Sequence, residues 1–399
     1  MEPDAPDPWS MAWALGWTEL VSWGVLIFAF SVLLVPMQDE FGWSAGLISG
    51  AYSLSLLVSG IVAPFVGRRI DRQGARWLMT GGSVIATLMV FAWSRVESWP
   101  MLYLIWIGIG IAMGLTLYEP AFAAVAPWFN RNRSKALLII TFFGGLSTTV
   151  FLPITGRLEV EFGWRNTLLF LAAALAVGTI LPHAVFLRGV PPVATHSQGF
   201  TPTSWITLLR NAWFQRLSIA YFLQMFVTTG VAVHMIAYLR DEGVSPTTAA
   251  IIAGSIGIFQ TLARVLVTVF EGSLSVEKMT ILMFIMQMVA IVLLVITPTG
   301  FFVFVAAALL GIPRGAVTLL RPKILLKHYN VQEFGSVNGT HVAVLTAAGA
   351  IAPVATGIAV GLIGGYEWIL IVFSLASLVG AVAVWSMRLV DSPSVTNAP

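Results

Sequence analysis

Residues 278–297 read KMTILMFIMQMVAIVLLVIT, an apolar run whose single charge, Lys278, stands at its very edge. At about 1.5 Å rise per residue, roughly 20 helical residues cross the hydrocarbon core of a bilayer, and this run has that length. Runs of the same kind recur along almost the whole chain of 399 residues. Hydrophobic residues make up 58% of it and charged residues only 10%, where a soluble domain carries about 25% charge. So few charges cannot cover a water-soluble fold, and the bulk of the chain is expected in lipid.

Apolar runs set against their polar and Gly/Pro punctuation predict spans at residues 11–36, 45–66, 77–95, 100–127, 136–158 and 164–187. A second set falls at 213–239, 247–270, 278–297, 301–324, 335–362 and 366–388. Lys and Arg orient them. With the amino terminus in the cytoplasm, Arg68, Arg69, Arg72, Arg76, Arg131, Arg133, Lys135, Arg188, Arg210, Arg216, Lys278, Arg321, Lys323, Lys327 and Arg388 lie inside, and Arg95, Arg157, Arg165 and Arg240 lie outside. This 15 to 4 split predicts cytoplasmic termini. Met1 to Ser10 holds Glu2, Asp4 and Asp7 and lacks a basic n-region, so no cleavable signal peptide is expected.

The longest polar interruption, from Arg188 to Asn211, divides six spans from six. It predicts an amino-terminal bundle over 1–187, a cytoplasmic linker over 188–212 and a carboxy-terminal bundle over 213–399. An internal repeat supports the division. Thr155-Gly156 and Gly163 recur as Thr356-Gly357 and Gly364, 201 residues later, and Asp39-Glu40 recurs as Asp241-Glu242 at an offset of 202. Trp128-Phe129-Asn130 has its counterpart in His328-Tyr329-Asn330, offset by 200. A near-constant offset predicts two homologous halves of parallel topology, and with it an all-α membrane protein of twelve helices in two pseudo-symmetric six-helix bundles.

Between the second and third spans the chain reads Gly67-Arg-Arg-Ile-Asp71-Arg72-Gln-Gly74-Ala75-Arg76. Glycines permit a tight turn and close helix approach, arginines hold the inner face, and Asp71 can sit against the positive end of a neighbouring helix. The stretch resembles the signature of the major facilitator superfamily at Gly67, Asp71, Arg72, Gly74 and Arg76, and departs from it at Ala75. The resemblance implies a secondary transporter working by alternating access. It also implies that these residues latch one conformation against the eleventh helix, beginning near Gly335.

Within that superfamily the chain looks most like the group of monocarboxylate and oxalate/formate carriers. The carrying residues are Ser22-Trp23-Gly24, Glu40-Phe41-Gly42-Trp43-Ser44, Pro127-Trp128-Phe129 followed by Arg131, Arg133 and Ala136, and Gly163-Trp164-Arg165. In those carriers the eighth helix bears Asp-x-x-x-Arg, the arginine binding carboxylate and the acid linked to the proton. Arg264 matches the arginine, Gln260 stands where the acid would be, and the lysine of their first helix has no counterpart.

Four ionisable residues fall well inside the spans: Glu19, Glu119, Arg264 and Arg314. A charge at the bilayer centre costs about 2.5 to 3.5 kcal/mol on translocon scales, so such residues face a bundle interior or water. Glu19 and Glu119 each stand eight residues from the inner end of their span, roughly 12 Å deep. Protonation removes the charge cost, which makes both candidates for proton coupling, with structural pairing to arginine as the alternative. Arg264 and Arg314, with Gln260 beside them, suit an anionic substrate, because guanidinium pairs bidentately with carboxylate; interhelical ion pairing is again the alternative. The resemblance implies that helices one, four, seven and ten line the cavity.

His234, His341 and Asn338 read either as polar glue between helices or as relay groups. Gly144-Gly145 with Pro153 and Gly156 faintly resembles an antiporter pattern, and close helix packing explains it equally well.

The chain has no cysteine, no His-Glu-x-x-His, no P-loop and no Gly-x-Ser-x-Gly, so no metal, cofactor or enzymatic chemistry is expected. A net charge of +3 dispersed over loops gives no reason to expect nucleic acid. The expected partners are the lipid bilayer, a small anionic molecule and protons, with a plasma-membrane monomer sufficing. An efflux pump for amphipathic compounds is the alternative, favoured by 15 Trp and 25 Phe. A nontransporting receptor or sensor is the lesser one.

Overall fold

The computed structural model describes residues 8–125, 128–129, 132–187, 205–269, 274–329 and 334–390, without the side chains of residues 71, 268–269 and 334–336. Ten helical runs are long and apolar enough to cross a membrane. One of them, Arg133–Phe186, is two helices joined where Gly163 takes φ 77°, and Arg76–Trp93, of 18 residues, adds another crossing. The described chain is thus a bundle of twelve crossing helices. They are α1 Trp9–Phe41, α2 Ala45–Gln73, α3 Arg76–Trp93, α4 Trp99–Val125, α5 133–162, α6 164–186, α7 Ala212–Asp241, α8 Pro246–Val269, α9 Val276–Ile296, α10 Phe301–His328, α11 Phe334–Ile363 and α12 Glu367–Ser386.

Local chemistry sets the ends. Ser44, Asn211 and Ser275 cap α2, α7 and α9, their side-chain oxygens accepting from Leu47 N (3.2 Å), Phe214 N (3.0 Å) and Lys278 N (3.3 Å). Glycines in the left-handed region end α1 at Gly42 (φ 66°) and α7 at Gly243 (φ 81°), and turn α5 into α6 at Gly163 (φ 77°) and α11 into α12 at Gly364 (φ 83°). Both pairs are 201 residues apart, so the sequence repeat is also a repeat of backbone geometry.

One expectation changes. The motif at Gly67–Arg76 is not a loop over most of its length, because α2 runs on to Gln73 and turns only at Gly74, φ 82°. A side chain at Gly67 would meet open space, so close helix approach is not what that glycine serves. The Asp71 side chain lies outside the described residues, and with it the latch to α11, whose first side chains at 334–336 do too.

The two halves pack in the same way. Within them α2 lies on α4 as α8 lies on α10, and α1 on α5 as α7 lies on α11. Between them α2 meets α11 and α5 meets α8. These cross-half contacts are backbone-close: a Cβ on Gly357 would stand 2.8 Å from the Ala45 carbonyl, and one on Gly257 would stand 3.0 Å from the Gly145 carbonyl. Small residues let helices associate in lipid, where packing rather than water drives them together. Outward-facing residues such as Trp77 (78% exposed) and Leu362 (82%) form the surface that lipid covers.

The core is distributed unequally along the membrane normal. Toward the face reached by the Phe41 end of α1, residues of both halves form one continuous apolar core that includes Phe30, Trp93, Trp106, Val227, Leu239, Ile291 and Phe373. Toward the arginine-rich face there are two separate cores, one per half, around Met11, Val66 and Phe129 and around Phe214, Leu320 and Val384. The halves therefore share one apolar core at one face, and at the other they keep separate cores while α2–α11 and α5–α8 stay in contact. Polar contacts reinforce the closed end. Within the carboxy-terminal half His234 donates from Nε2 to the Pro353 carbonyl (2.9 Å) and accepts at Nδ1 from the Tyr366 hydroxyl (3.2 Å), which holds its ring 3.5 Å from the Ser49 hydroxyl of the other half. Ser53 accepts from Val354 N (3.1 Å), and Arg240 approaches Asp39 at 4.0 Å.

Candidate functional site

Two interruptions of regular helix shape the centre of the bundle. In α1, residues Gly24–Phe28 form a π-helical segment; such bulges cluster at functional sites because they re-aim the side chains around them. Glu19 and Trp23 stand just before it and Phe28 at its end. In α4 the helix breaks at Leu117 (ψ −163°) and resumes at Tyr118. Pro120 accounts for the break, since it lacks the N–H that would bond back to Thr116. The break delivers Tyr118 and Glu119 to the interior. Non-helical backbone at membrane depth is tolerated where it lines a cavity or is buried in protein.

Glu19 is fully buried. Its Oε2 accepts from the Trp23 indole N–H at 2.8 Å, while its Oε1 has no hydrogen-bond partner among the described residues. Glu119 has protein closely around it and keeps part of its surface exposed. The two carboxyls, on α1 and α4, are near enough for their charges to repel, in keeping with the equal depth inferred from the chain.

From the other half come the arginines. Arg264 of α8 donates from Nη1 to the Thr141 carbonyl of α5 at 2.6 Å and lies against the Tyr118 hydroxyl. Arg314 of α10 places its guanidinium 5.3 Å from the centre of the Phe28 ring, a cation–π contact across the two halves. Arg264 and Arg314 repel each other, and Tyr52 and Tyr118 lie within electrostatic reach of Arg314. No carboxylate among the described residues forms an ion pair with Arg314. Gln260, one turn before Arg264, is buried, with Oε1 unpartnered. Its backbone runs hard against α10, where a Cβ on Gly315 would meet the Gln260 carbonyl.

The structure thus brings Glu19, Glu119, Arg264 and Arg314 to one region and adds residues that charge alone did not identify. Trp23 and Tyr118 pack ring to ring at 4.8 Å, and Tyr118 stacks on Phe122 at 5.4 Å. Gly144 and Gly145 make room for the site: a Cβ on Gly144 would collide with the Tyr118 hydroxyl, and one on Gly145 would stand 3.0 Å from Arg264 Nη1. The glycine pair was visible in the sequence, and the side chains it admits were not.

Known proteins match this architecture over nearly its full length. The family model described as Major Facilitator Superfamily matches residues 15–299 and 217–399. The MFS-type transporter YcxA of Bacillus subtilis (strain 168) is 27% identical over 371 residues, covering 89% of each chain. Monocarboxylate transporter 13 of Bos taurus is 30% identical over 268 residues, covering 66% of this chain and 61% of that one. Among solved structures, the nucleoside transporter NupG superposes with TM-score 0.75 at 16% identity, covering 96% of this chain and 99% of that one. A bacterial homolog of the human lysosomal transporter Spinster gives TM-score 0.68 at 16% identity, covering 97% and 96%. The chain belongs to the Major Facilitator Superfamily and is a membrane transporter.

Proposed function

We propose that this transporter is a secondary carrier of a small organic anion, of monocarboxylate type, working by alternating access. The observation that carries the reading is the meeting of two guanidinium groups, Arg264 and Arg314, inside the membrane-spanning bundle, where their charges repel and no described carboxylate opposes Arg314. Two cations held together away from bulk water call for an anion between them, and guanidinium binds carboxylate bidentately. The 30% identity to monocarboxylate transporter 13 supports the same substrate class.

In this reading Arg264 and Arg314 bind the carboxylate, Gln260 offers its unpartnered amide oxygen to a donor on the substrate, and the Trp23, Phe28 and Tyr118 rings enclose its apolar part. Glu19 and Glu119 carry the coupled proton, Glu19 having one oxygen free to receive it. The arginine-rich face is cytoplasmic, so the cleft opens inward and both termini lie in the cytoplasm, in a monomer of the plasma membrane. The six-helix bundles over 1–187 and 213–399 rock against each other about the α2–α11 and α5–α8 contacts. Gly67, Asp71, Arg72, Gly74 and Arg76 hold one of the two orientations.

Reconstitution in liposomes with labelled pyruvate and lactate, with and without an imposed pH gradient, tests the reading. Saturable uptake, stimulated by an inward proton gradient and lost in Arg314→Ala, is expected. Uptake of cationic dyes in place of carboxylates would overturn it in favour of amphipath efflux, the second reading, which the aromatic wall beside two carboxyls favours.

A further inference from the structure

Arg321 stands seven residues after Arg314 on α10, two turns along nearly the same face and roughly 10 Å closer to the arginine-rich face. Its place, three residues from the end of the span predicted at 301–324, groups it with the cations of that face. Because α10 continues to His328, it lies instead well inside the helix and partly buried. Lys327 and His328, farther along, meet Glu277 at 2.6 and 3.5 Å. Among the described residues no carboxylate pairs with Arg321, and its Nη1 is sequestered without a hydrogen-bond partner.

Two fully buried side chains lie within electrostatic reach of that guanidinium, Tyr221 of α7 and His341 of α11. Their rings meet edge to face at 5.4 Å. The Tyr221 hydroxyl points toward Thr280 and the His341 ring toward the Leu217 carbonyl, yet neither forms a hydrogen bond of good geometry. Ser218 Oγ, one turn before Tyr221, is likewise unsatisfied. Buried polar groups are almost always partnered, so several orphans beside one unopposed cation are an exception that needs a cause. Guanidinium N–H, phenol O–H and neutral imidazole N–H are all donors. An anion would accept from all three, from the phenol O–H and one imidazole N–H as well as the guanidinium, and would oppose the charge.

We propose that Arg321, Tyr221 and His341 form a second anion site, taking a small carboxylate between the central arginines and the arginine-rich face. The choice of carboxylate rests on the anion-carrier reading above; the need for an anion does not. Substrate leaving Arg314 would find its next counter-charge two helical turns along the same helix, so that no stage of its passage through the cleft leaves the carboxylate far from a guanidinium.

Calorimetric titration of the purified full chain in detergent with pyruvate, in chloride-free buffer, tests this. The wild type should bind two pyruvates per chain. Arg321→Gln should bind one, and so should Arg264→Gln/Arg314→Gln, the remaining site being the other one in each case. Tyr221→Phe keeps the ring against Phe284 (5.6 Å) and should weaken the second site by roughly fivefold, which gives a reading should Arg321→Gln fail to fold. Wild-type stoichiometry and affinities in Arg321→Gln, unchanged affinity in Tyr221→Phe, or loss of both pyruvates in Arg264→Gln/Arg314→Gln would each overturn the proposal. Displacement of the second pyruvate by chloride at equal concentration would overturn the choice of carboxylate. Should Arg264→Gln/Arg314→Gln instead bind as the wild type does, while Arg321→Gln loses a site, the central reading fails and this one stands.

Discussion

The two halves are built on one plan and carry opposite charge into the bundle. The amino-terminal half supplies Glu19 and Glu119 with a wall of Trp23, Phe28 and Tyr118, and the carboxy-terminal half supplies Arg264, Arg314 and Arg321. Repeat geometry is kept where the backbone must turn, at Gly42 and Gly243 and at Gly163 and Gly364. It is abandoned where side chains meet the interior. The scaffold is therefore what the repeat conserves, and the anion and proton chemistry proposed above rests on the asymmetry between the halves.

That division can be broken at either side. The largest effect is expected for Arg314→Ala, since losing a charge-assisted contact to an anion costs about 1.5 to 3 kcal/mol, or roughly 10- to 100-fold in substrate affinity. Binding of labelled pyruvate to proteoliposomes measures it, and an affinity within about twofold of wild type would remove the arginine from the site. Glu19→Gln, on the acidic side, should abolish accumulation driven by a pH gradient while sparing substrate exchange; Glu119→Gln should do the same. If both variants accumulate normally, the coupling role belongs elsewhere.

Polar contacts within and across the closed end should respond more weakly. His234→Ala removes the bond to the Pro353 carbonyl and leaves that buried acceptor to find another donor, a cost of about 1 to 3 kcal/mol read as a lowered melting temperature in detergent. Smallest of all should be Asp39→Asn, because a 4.0 Å pair with a largely exposed aspartate is worth less than about 1 kcal/mol. A drop larger than that of His234→Ala would reverse the ranking of polar contacts at the closed end.

Most of the scaffold was legible in the sequence, because lipid imposes a length and a composition that hydropathy reads directly. Helix ends beyond the lipid were harder. α1 runs to Phe41 and α2 to Gln73, past their predicted ends at residues 36 and 66, because capping glycines rather than hydropathy end them. At the site, Glu19, Glu119, Arg264 and Arg314 stood out because a charge in hydrocarbon is rare. Trp23, Phe28 and Tyr118 did not, since aromatic residues are common in any span and their role depends on the π-segment and on the break before Pro120. Arg321 was hidden by its position: it stands three residues from the predicted end of its span at 324 and counted with the inner-face cations, whereas the helix runs on to His328 and leaves it partly buried.

The single core that joins the halves at one end carries an energetic asymmetry for the empty protein. In the proposed alternating-access cycle, turning the molecule inside out would separate Phe30 and Trp106 from the layer that includes Val227 and Phe373, and wet surface that is now dry. Each square ångström so hydrated costs about 25 cal/mol, whereas the end with separate cores has no such seam to rip. In the alternating-access cycle proposed above, an unloaded carrier would therefore wait with its mouth toward the arginines, and cargo arriving from the other side would meet a door that opens only rarely unless something on the near side offsets the hydration.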